Sequence, residues 1–553
     1  MPTSHPEFRV LFLYPNIQMR TIAPPGIAQM AAVLKEHGFA CEVFDCTRYE
    51  STYINPERDY DASHDQFLRM NPHSDRAQNS NVVQTDWSER GIQLRTTDMG
   101  DDFRKKLESF DPHLVCVSLV ENTFCLGMDL IELVPDPIPV ICGGVFASYA
   151  PQIVIGNPRV DYVCRGEGEY PLLDLCRALA RGRPTLEIPN LWIREGDRVI
   201  RNPMRPPLDL DALPPPDYSL FETSLLFTPM QGRIWKAIGF ETQRGCPYTC
   251  TYCNSPANSE VYASEAKGRF YRRKSVPRLK ADLDHLVRTY DPELIYFVAD
   301  TFLAMSRREL DEFSEFYQSY RIPFWMNTRA ETISAHSALH LQKMNCLRFN
   351  IGIEHGNPDF RSRVLRRKVS NEATIRAFET AAEYDSEYTC VANSIIGLPT
   401  ETLDLAFDTI ELNRALPPET VAAGAFIFAP FHGTPLRGLA IEKGYISPDL
   451  ICTHSSNTTP RTLLRMPEFP PEQIEGLMRT FSFYVKFPRD SWPRIDLART
   501  RSGEGERVFE ELRREYAERY LDPSAESVAK KLRHGEIPRG SSKIRSSRFV
   551  DLA

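Results

Sequence analysis

A chain of 553 residues has room for three or four domains at about 150 residues each, and for large buried cores. Its 42% hydrophobic and 25% charged composition is that of an ordinary globular protein, and its net charge of -8 gives no general affinity for nucleic acid. No run reaches the ~18 apolar residues of a membrane span, and "MPTSHPEFRVLFLYP" lacks the basic start and long apolar stretch of a signal peptide.

Strands and helices alternate through residues 8–200. "FRVLFLYP" reads as a short buried strand ended by Pro15, and "GIAQMAAVLKEHG" as a helix stopped by Gly38. "ACEVFDC", "HLVCVSLV" and "IPVICGG" read as further strands, and "VDYVCRGEGEYPLLDLCRALARG" as a strand, a glycine loop and a helix. Such alternation implies an open parallel sheet, whose ligands sit beyond the carboxyl ends of its strands. Residues 50–100 interrupt the pattern. They are polar, irregular and too long for an ordinary connection, and are expected as a loop near a substrate or a disordered insertion.

"NPMRPPLDLDALPPPDYSLF" is proline-rich without helical period, and an extended linker is expected over 202–235. Alternation resumes over 236–440, where "IYFVAD", "PFWMNTRA", "LRFNIGIEHG", "CVANSIIGLP" and "VAAGAFIFAP" are candidate strands with helical segments between them. That count suits a barrel or partial barrel of parallel strands. Residues 441–553 read as mostly helical and end in a polar tail. From 523 onward the tail carries seven Lys/Arg against three Asp/Glu.

The 13 cysteines are odd in number and irregularly spaced. Ten are scattered, several in apolar runs, and read as buried free thiols of a reduced, cytoplasmic protein. The other three, Cys246, Cys250 and Cys253, lie together in "RGCPYTCTYCNSP". A structural zinc would need a fourth ligand, and no second close pair follows. A redox pair would use Cys250 and Cys253 and leave Cys246 unexplained. An iron–sulfur cluster held by three thiolates keeps an open position on one iron, where a substrate or cofactor can bind.

Cys-x3-Cys-x2-Cys with Tyr252 before the last cysteine, following the apparent strand "WKAIGFETQRG", resembles the radical S-adenosylmethionine (SAM) superfamily. The resemblance extends over 236–440 through "IYFVADTF", "WMNTRAE", "NIGIEHGN", "IIGLPTET" and "FAPFHGTPL". It implies a 4Fe–4S cluster on the three cysteines, with SAM chelating the open iron. It further implies that Tyr252 packs by the adenine, that Asp300 faces the SAM amine, that Asn327 or Arg329 points inward, and that Glu354 contacts the SAM ribose or amine. Taken singly, Asp300 could be a helix N-cap and Glu354 a salt-bridged strand end.

Residues 8–200 are similar to the cobalamin-binding domain that precedes many radical SAM domains, through "VLFLYPN", "VSLVENTF", "ICGGVFASYAPQ" and "VDYVCRGEGEYPLLDL". By that resemblance Ser118, Glu121, Gly143, Gly144 and Gly166 are expected at the cofactor, the glycines because they let backbone approach it closely. An empty or nucleotide-binding flavodoxin-like sheet is the alternative. The Asp-x-His-x-x-Gly motif of cobalt-ligating domains is missing. "YPNIQMRTIAPPG" has no histidine, and His113 reads as an ordinary residue entering a strand.

The expected architecture is α/β. A Rossmann-like, flavodoxin-like cobalamin-binding domain spans 1–201, with the 50–100 insertion, and the linker spans 202–235. A partial (β/α)6 TIM-type radical SAM barrel spans 236–440, and a helical region with a basic tail spans 441–553. The resemblance implies a cobalamin-dependent radical SAM methyltransferase acting on an unactivated carbon or phosphorus through a 5′-deoxyadenosyl radical. It implies a small-molecule or natural-product substrate and a reductant such as flavodoxin or ferredoxin. A cyclase, dehydratase or rearrangement enzyme of the same architecture is the alternative, and a non-catalytic zinc scaffold a remote one. His355, His432, Tyr388 and the 50–100 insertion are candidates to line the substrate pocket, although a lone histidine is more often structural.

Overall fold

The computed structural model describes residues 8–16, 22–49, 87–230, 233–384, 389–417, 420–452 and 461–520. Tyr388, residues 50–86 of the insertion and the tail beyond 520 lie outside the described residues.

The apolar runs of the front domain form strands β1 (Arg9–Tyr14), β2 (Ala40–Asp45), β3 (Leu114–Ser118), β4 (Val140–Gly143), β5 (Tyr162–Cys164), β6 (Leu191–Glu195) and β7 (Arg198–Arg201). Their order is β2-β1-β3-β4-β5-β6-β7. The first five are parallel, and β6 and β7 are antiparallel. Val10, Leu11, Phe12 and Leu13 are all fully buried, which is why β1 reads as a continuous apolar run: both faces of a parallel sheet are covered. The strand order reverses between β1 and β3, and this switch point opens a crevice at the carboxyl ends.

The proline-rich segment departs from a free linker. It is extended, but Leu208, Leu210, Leu213, Tyr218, Phe221, Leu225 and Leu226 are buried in one core with residues of both sheets. The Tyr218 hydroxyl donates to Gly239 O across 2.8 Å. Proline fixes backbone shape without preventing neighbouring leucines from packing. The segment ends in structure rather than at 235: β8 spans Phe227–Met230 and β9 spans Arg233–Glu241.

A two-residue ladder, β10 (Gln243–Arg244) against β11 (Arg272–Arg273), brackets the cysteine loop. The barrel continues through β12 (Leu294–Val298), β13 (Phe324–Arg329), β14 (Cys346–Glu354), β15 (Thr389–Ile396) and β16 (Val421–Ile427). The sheet order is β16-β15-β14-β13-β12-β9-β8. All neighbours are parallel except the antiparallel edge strand β8. Six parallel strands with intervening helices, and no closing pair among the described residues, make the partial barrel expected from the strand count.

Helices Pro471–Lys486, Trp492–Ala498 and Gly503–Tyr520 follow. Ile474, Leu477 and Phe481 share a core with Ile396 of β15 and Ile427 of β16, so this region covers the last strands of the barrel. The described end of the insertion packs Trp87 and Ile92 on Ile234, at the start of β9. That is the opposite end of β9 from the cysteine loop, so this part of the insertion does not approach the pocket. No helix among the described residues is long and apolar enough to cross a membrane.

Candidate active site

The cysteine loop leaves the end of β9 through Gly245, whose φ is +80°. A Cβ there would lie 2.7 Å from the Phe270 ring, so the turn demands glycine. Each sulfur meets a polar group from a different element. Cys246 Sγ is 3.4 Å from Thr301 Oγ1, beyond β12. Cys250 Sγ accepts from Arg329 Nη1, at the end of β13, across 2.9 Å. Cys253 Sγ accepts from the Ser255 amide at 3.4 Å, at the start of helix Ser255–Ser264.

This donor set tests the metal. A single zinc with Zn–S bonds of about 2.3 Å brings its sulfurs to about 3.8 Å from one another. Among the described residues the three sulfurs are not within even 4.8 Å of one another, which disfavours a closed zinc site and fits a larger cluster. Burial pushes the Cys253 thiol up to about 12 and raises Cys246 as well, so ionising these two thiols is eased by a bound cation.

The cysteines open into a cavity of about 590 Å³ that also contains Tyr252, Asp300, Asn327, Arg329 and Glu354. Sequence reasoning had assigned all of these to one site, and the fold brings them to one wall. The Tyr252 hydroxyl donates to Glu354 Oε1 at 2.9 Å. Arg367 Nη1 lies 3.2 Å from both oxygens. Burial, then the Glu354 charge, pushes the Tyr252 phenol well above its usual range. Glu354 itself sits at φ +65°, a left-handed conformation that a non-glycine residue holds only when its surroundings enforce it. Burial also raises the Asp300 carboxyl. Asn327 donates to Tyr296 at 3.3 Å and accepts from Asn350 at 3.1 Å, which fixes its amide inside the barrel. Arg329 also pairs with Glu331 at 2.5 Å and lies 3.7 Å over the Tyr248 ring, so it braces the cysteine loop.

Ser118, Gly143, Gly144 and Gly166 line a second cavity of about 350 Å³ at the carboxyl ends of the front sheet. At Gly144, with φ +100°, a Cβ would stand 2.5 Å from Leu119 O; at Gly166, with φ +75°, it would stand 2.4 Å from the Tyr262 hydroxyl. Val145 on its rim and Val120, beyond β3, are two of the three exposed large hydrophobic side chains among the described residues. An exposed apolar side chain, Val145, on the rim of a cavity bordered by glycine-bearing strand ends fits a bulky macrocycle. Among the described residues that line this cavity there is no histidine.

Glu121 departs from the expected cofactor contact. It lies outside this lining, and its carboxylate accepts from His432 N at 2.8 Å, His432 Nδ1 at 2.7 Å and Cys452 N at 2.7 Å. It therefore joins the front domain to the barrel, and His432 is half of that joint. His355 is fully buried against Glu401 at 3.1 Å and stacks on Phe360, away from the pocket. His113 accepts from the Arg9 amide at 3.1 Å, at the opposite end of the front sheet, as an ordinary strand-entry residue.

Sequence reasoning passed over Arg244, Arg329's partner Glu331, and Arg367. Arg244 binds Glu167 at 2.8 Å and Glu169 at 2.6 Å, the two acidic residues of "RGEGE", immediately before Gly245 and Cys246. Two glutamates flanking one glycine were the available signal. Tyr149 of the front domain reaches the other side of the loop, where its hydroxyl donates to Asn254 O at 2.7 Å.

The Radical SAM superfamily model matches residues 240–412. The chain is 27% identical over 399 residues to the Uncharacterized methyltransferase PH0819 of Pyrococcus horikoshii, covering 70% of this chain and 81% of that one. It is 25% identical over 359 residues to an anaerobic magnesium-protoporphyrin IX monomethyl ester cyclase of Rubrivivax gelatinosus, covering 62% of this chain and 61% of that one. Among solved structures it resembles TsrM of Kitasatospora setae, a radical SAM methyltransferase with cobalamin and a 4Fe–4S cluster bound. The TM-score is 0.60 at 16% identity, over 93% of this chain and 99% of that one, a likeness of fold.

Proposed function

We propose that this chain, whose residues 240–412 match the Radical SAM superfamily model, is a cobalamin-dependent methyltransferase acting on an unactivated carbon or phosphorus of a small molecule. The observation that carries this reading is that both cavities border one segment of chain: Arg244 and Asn258 line the front cavity, and Cys246, Ser255 and Pro256 line the barrel cavity. Tyr149, at the end of the helix Val145–Tyr149 beside the front cavity, donates to the carbonyl next to Cys253. Two candidate cofactor sites flanking the same loop are in keeping with transfer between them.

A 4Fe–4S cluster on Cys246, Cys250 and Cys253, SAM on its open iron, and cobalamin in the front domain would supply radical generation and the methyl group. The chain's own residues bind, orient and exclude water. Arg329 donates to Cys250 Sγ and brings positive charge to the cluster side. The Tyr252–Glu354–Arg367 group fixes a polar wall for the SAM nucleoside. Asn327 and Asn350 present paired amides deeper in the barrel, where a substrate's polar groups can be oriented. Val120 and Val145 offer apolar support to a macrocycle. The likeness to PH0819 and to TsrM supports this reading. A flavodoxin- or ferredoxin-type protein is the reductant class in keeping with it.

A second reading, a radical SAM cyclase without methyl transfer, is favoured by the cyclase likeness. Anaerobic turnover with methyl-labelled SAM, read by mass spectrometry, separates the two. Methyl transfer gives a labelled product with 5′-deoxyadenosine and S-adenosylhomocysteine in equal amounts. Deoxyadenosine without homocysteine would remove methyl transfer and leave the cyclase.

A further inference from the structure

On the outside of the barrel, helix Arg307–Tyr317 packs beside helix Ala335–Lys343. His336 and His340 are four residues apart and so share one face of their helix. Both turn Nε2 toward the same oxygen of Asp311 on the neighbouring helix, His336 at 2.7 Å and His340 at 2.9 Å. Among the described residues this is the group of histidine, cysteine or carboxylate side chains whose three ligand atoms lie within 4.8 Å of one another.

As a purely hydrogen-bonded group the arrangement is poorly matched. Both neutral rings must carry their proton on Nε2 to donate to a single oxygen. His340 Nδ1 is then a buried acceptor, and it has no partner. A neutral imidazole is the form that binds metal.

We propose that Asp311, His336 and His340 form a site for one divalent first-row transition ion of the zinc class, independent of the radical chemistry. The ligands are Nε2 of both histidines and a carboxylate oxygen, with solvent completing the shell on the exposed Asp311 side. Two imidazoles and one carboxylate suit zinc, nickel or copper better than magnesium or calcium, which prefer all-oxygen shells. Metal–ligand bonds of about 2.0–2.1 Å in a tetrahedral shell separate ligand atoms by about 3.3 Å. From 2.7 and 2.9 Å, each histidine nitrogen needs to draw back from the Asp311 oxygen by only about half an ångström to reach that separation. Bound there, it would clamp the helix that follows β12 to the helix that follows β13.

The test uses the reconstituted holoenzyme, its cysteines occupied, titrated with zinc against a chromogenic chelator. One equivalent should bind, His336→Ala/His340→Ala should lose it, and Asp311→Asn should weaken it by about tenfold or more. Zinc-edge X-ray absorption of the one-equivalent sample should show nitrogen and oxygen neighbours at about 2.0 Å and no sulfur shell at about 2.3 Å. Added zinc should also raise the unfolding temperature of the wild type and not of the double variant. A sulfur shell, unchanged affinity in the double variant, or no stoichiometric binding would overturn the proposal.

Discussion

The Tyr252 phenol donates to Glu354 Oε1 across 2.9 Å, joining the cysteine loop to the end of β14 over 102 residues of sequence. Arg367 completes the group at 3.2 Å from each oxygen, and Glu354 holds a left-handed backbone to reach it. Glu354→Gln should leave Arg367 with an uncompensated buried charge, eased only by Glu331 at 3.7 Å. The expected loss of stability is about 3 kcal/mol, together with at least tenfold weaker SAM binding at unchanged iron content. Chemical unfolding and equilibrium SAM binding measure the two. Full SAM affinity in this variant would remove Glu354 from the cofactor wall.

Arg329 reaches Cys250 Sγ with a charged donor at 2.9 Å. Hydrogen bonds and positive charge at a cluster sulfur stabilise the reduced state. Arg329→Met should therefore move the cluster's reduction potential to a more negative value while the cluster stays bound. Potentiometric titration followed by electron paramagnetic resonance reads the shift. An unmoved potential would make Arg329 a packing residue only.

Glu121 accepts two backbone N–H groups, a part-buried one from His432 and a buried one from Cys452, besides the His432 ring. Glu121→Ala strands those donors at about 1–3 kcal/mol each. The front domain should dock less firmly, with a lower unfolding temperature and weaker cobalamin retention. Glu121→Gln, which keeps an acceptor, should be milder. Scanning calorimetry of both variants checks this, and a wild-type profile for Glu121→Ala would contradict it.

Asp45 closes β2 with one carboxylate oxygen buried and without a partner. Burial is the main cause that pushes its pKa up to about 6 from 3.8. The folded state therefore binds this proton more tightly than the unfolded chain. The resulting stability is fully present below the unfolded pKa and is lost as pH rises through about 6. At pH 7.5 the ionised group costs about 2–3 kcal/mol, so Asp45→Asn should stabilise the protein by roughly that amount. At pH 5 the gain should fall to about half. Urea unfolding at the two pH values measures it, and a gain independent of pH would contradict the account.

The parallel strands were legible as short apolar runs punctuated by Gly or Pro, such as "IPVICGG" for β4 and "IYFVAD" for β12, whereas the antiparallel strands β6, β7 and β8 were not read from the sequence. The cysteine loop was legible because its chemistry is carried by local spacing. The buried charges were not, since their partners lie far apart in the chain. Arg244 meets Glu169 across 75 residues, and Glu121 meets His432 across 311. In sequence a buried arginine such as Arg367 looks like any solvated one in "VLRRKVS". The proline-rich strap was misjudged for a related reason: its leucines follow no helical or strand period, yet they fill the seam between the sheets.

The central claim is that the front domain carries a methyl group between SAM and substrate. The holoenzyme, loaded with cobalamin and reduced anaerobically, is incubated with methyl-labelled SAM and no substrate, and the extracted cofactor is analysed by mass spectrometry. The account expects labelled methylcobalamin with one S-adenosylhomocysteine per methyl group. Unlabelled cobalamin, with the label remaining in SAM and methionine, would contradict it.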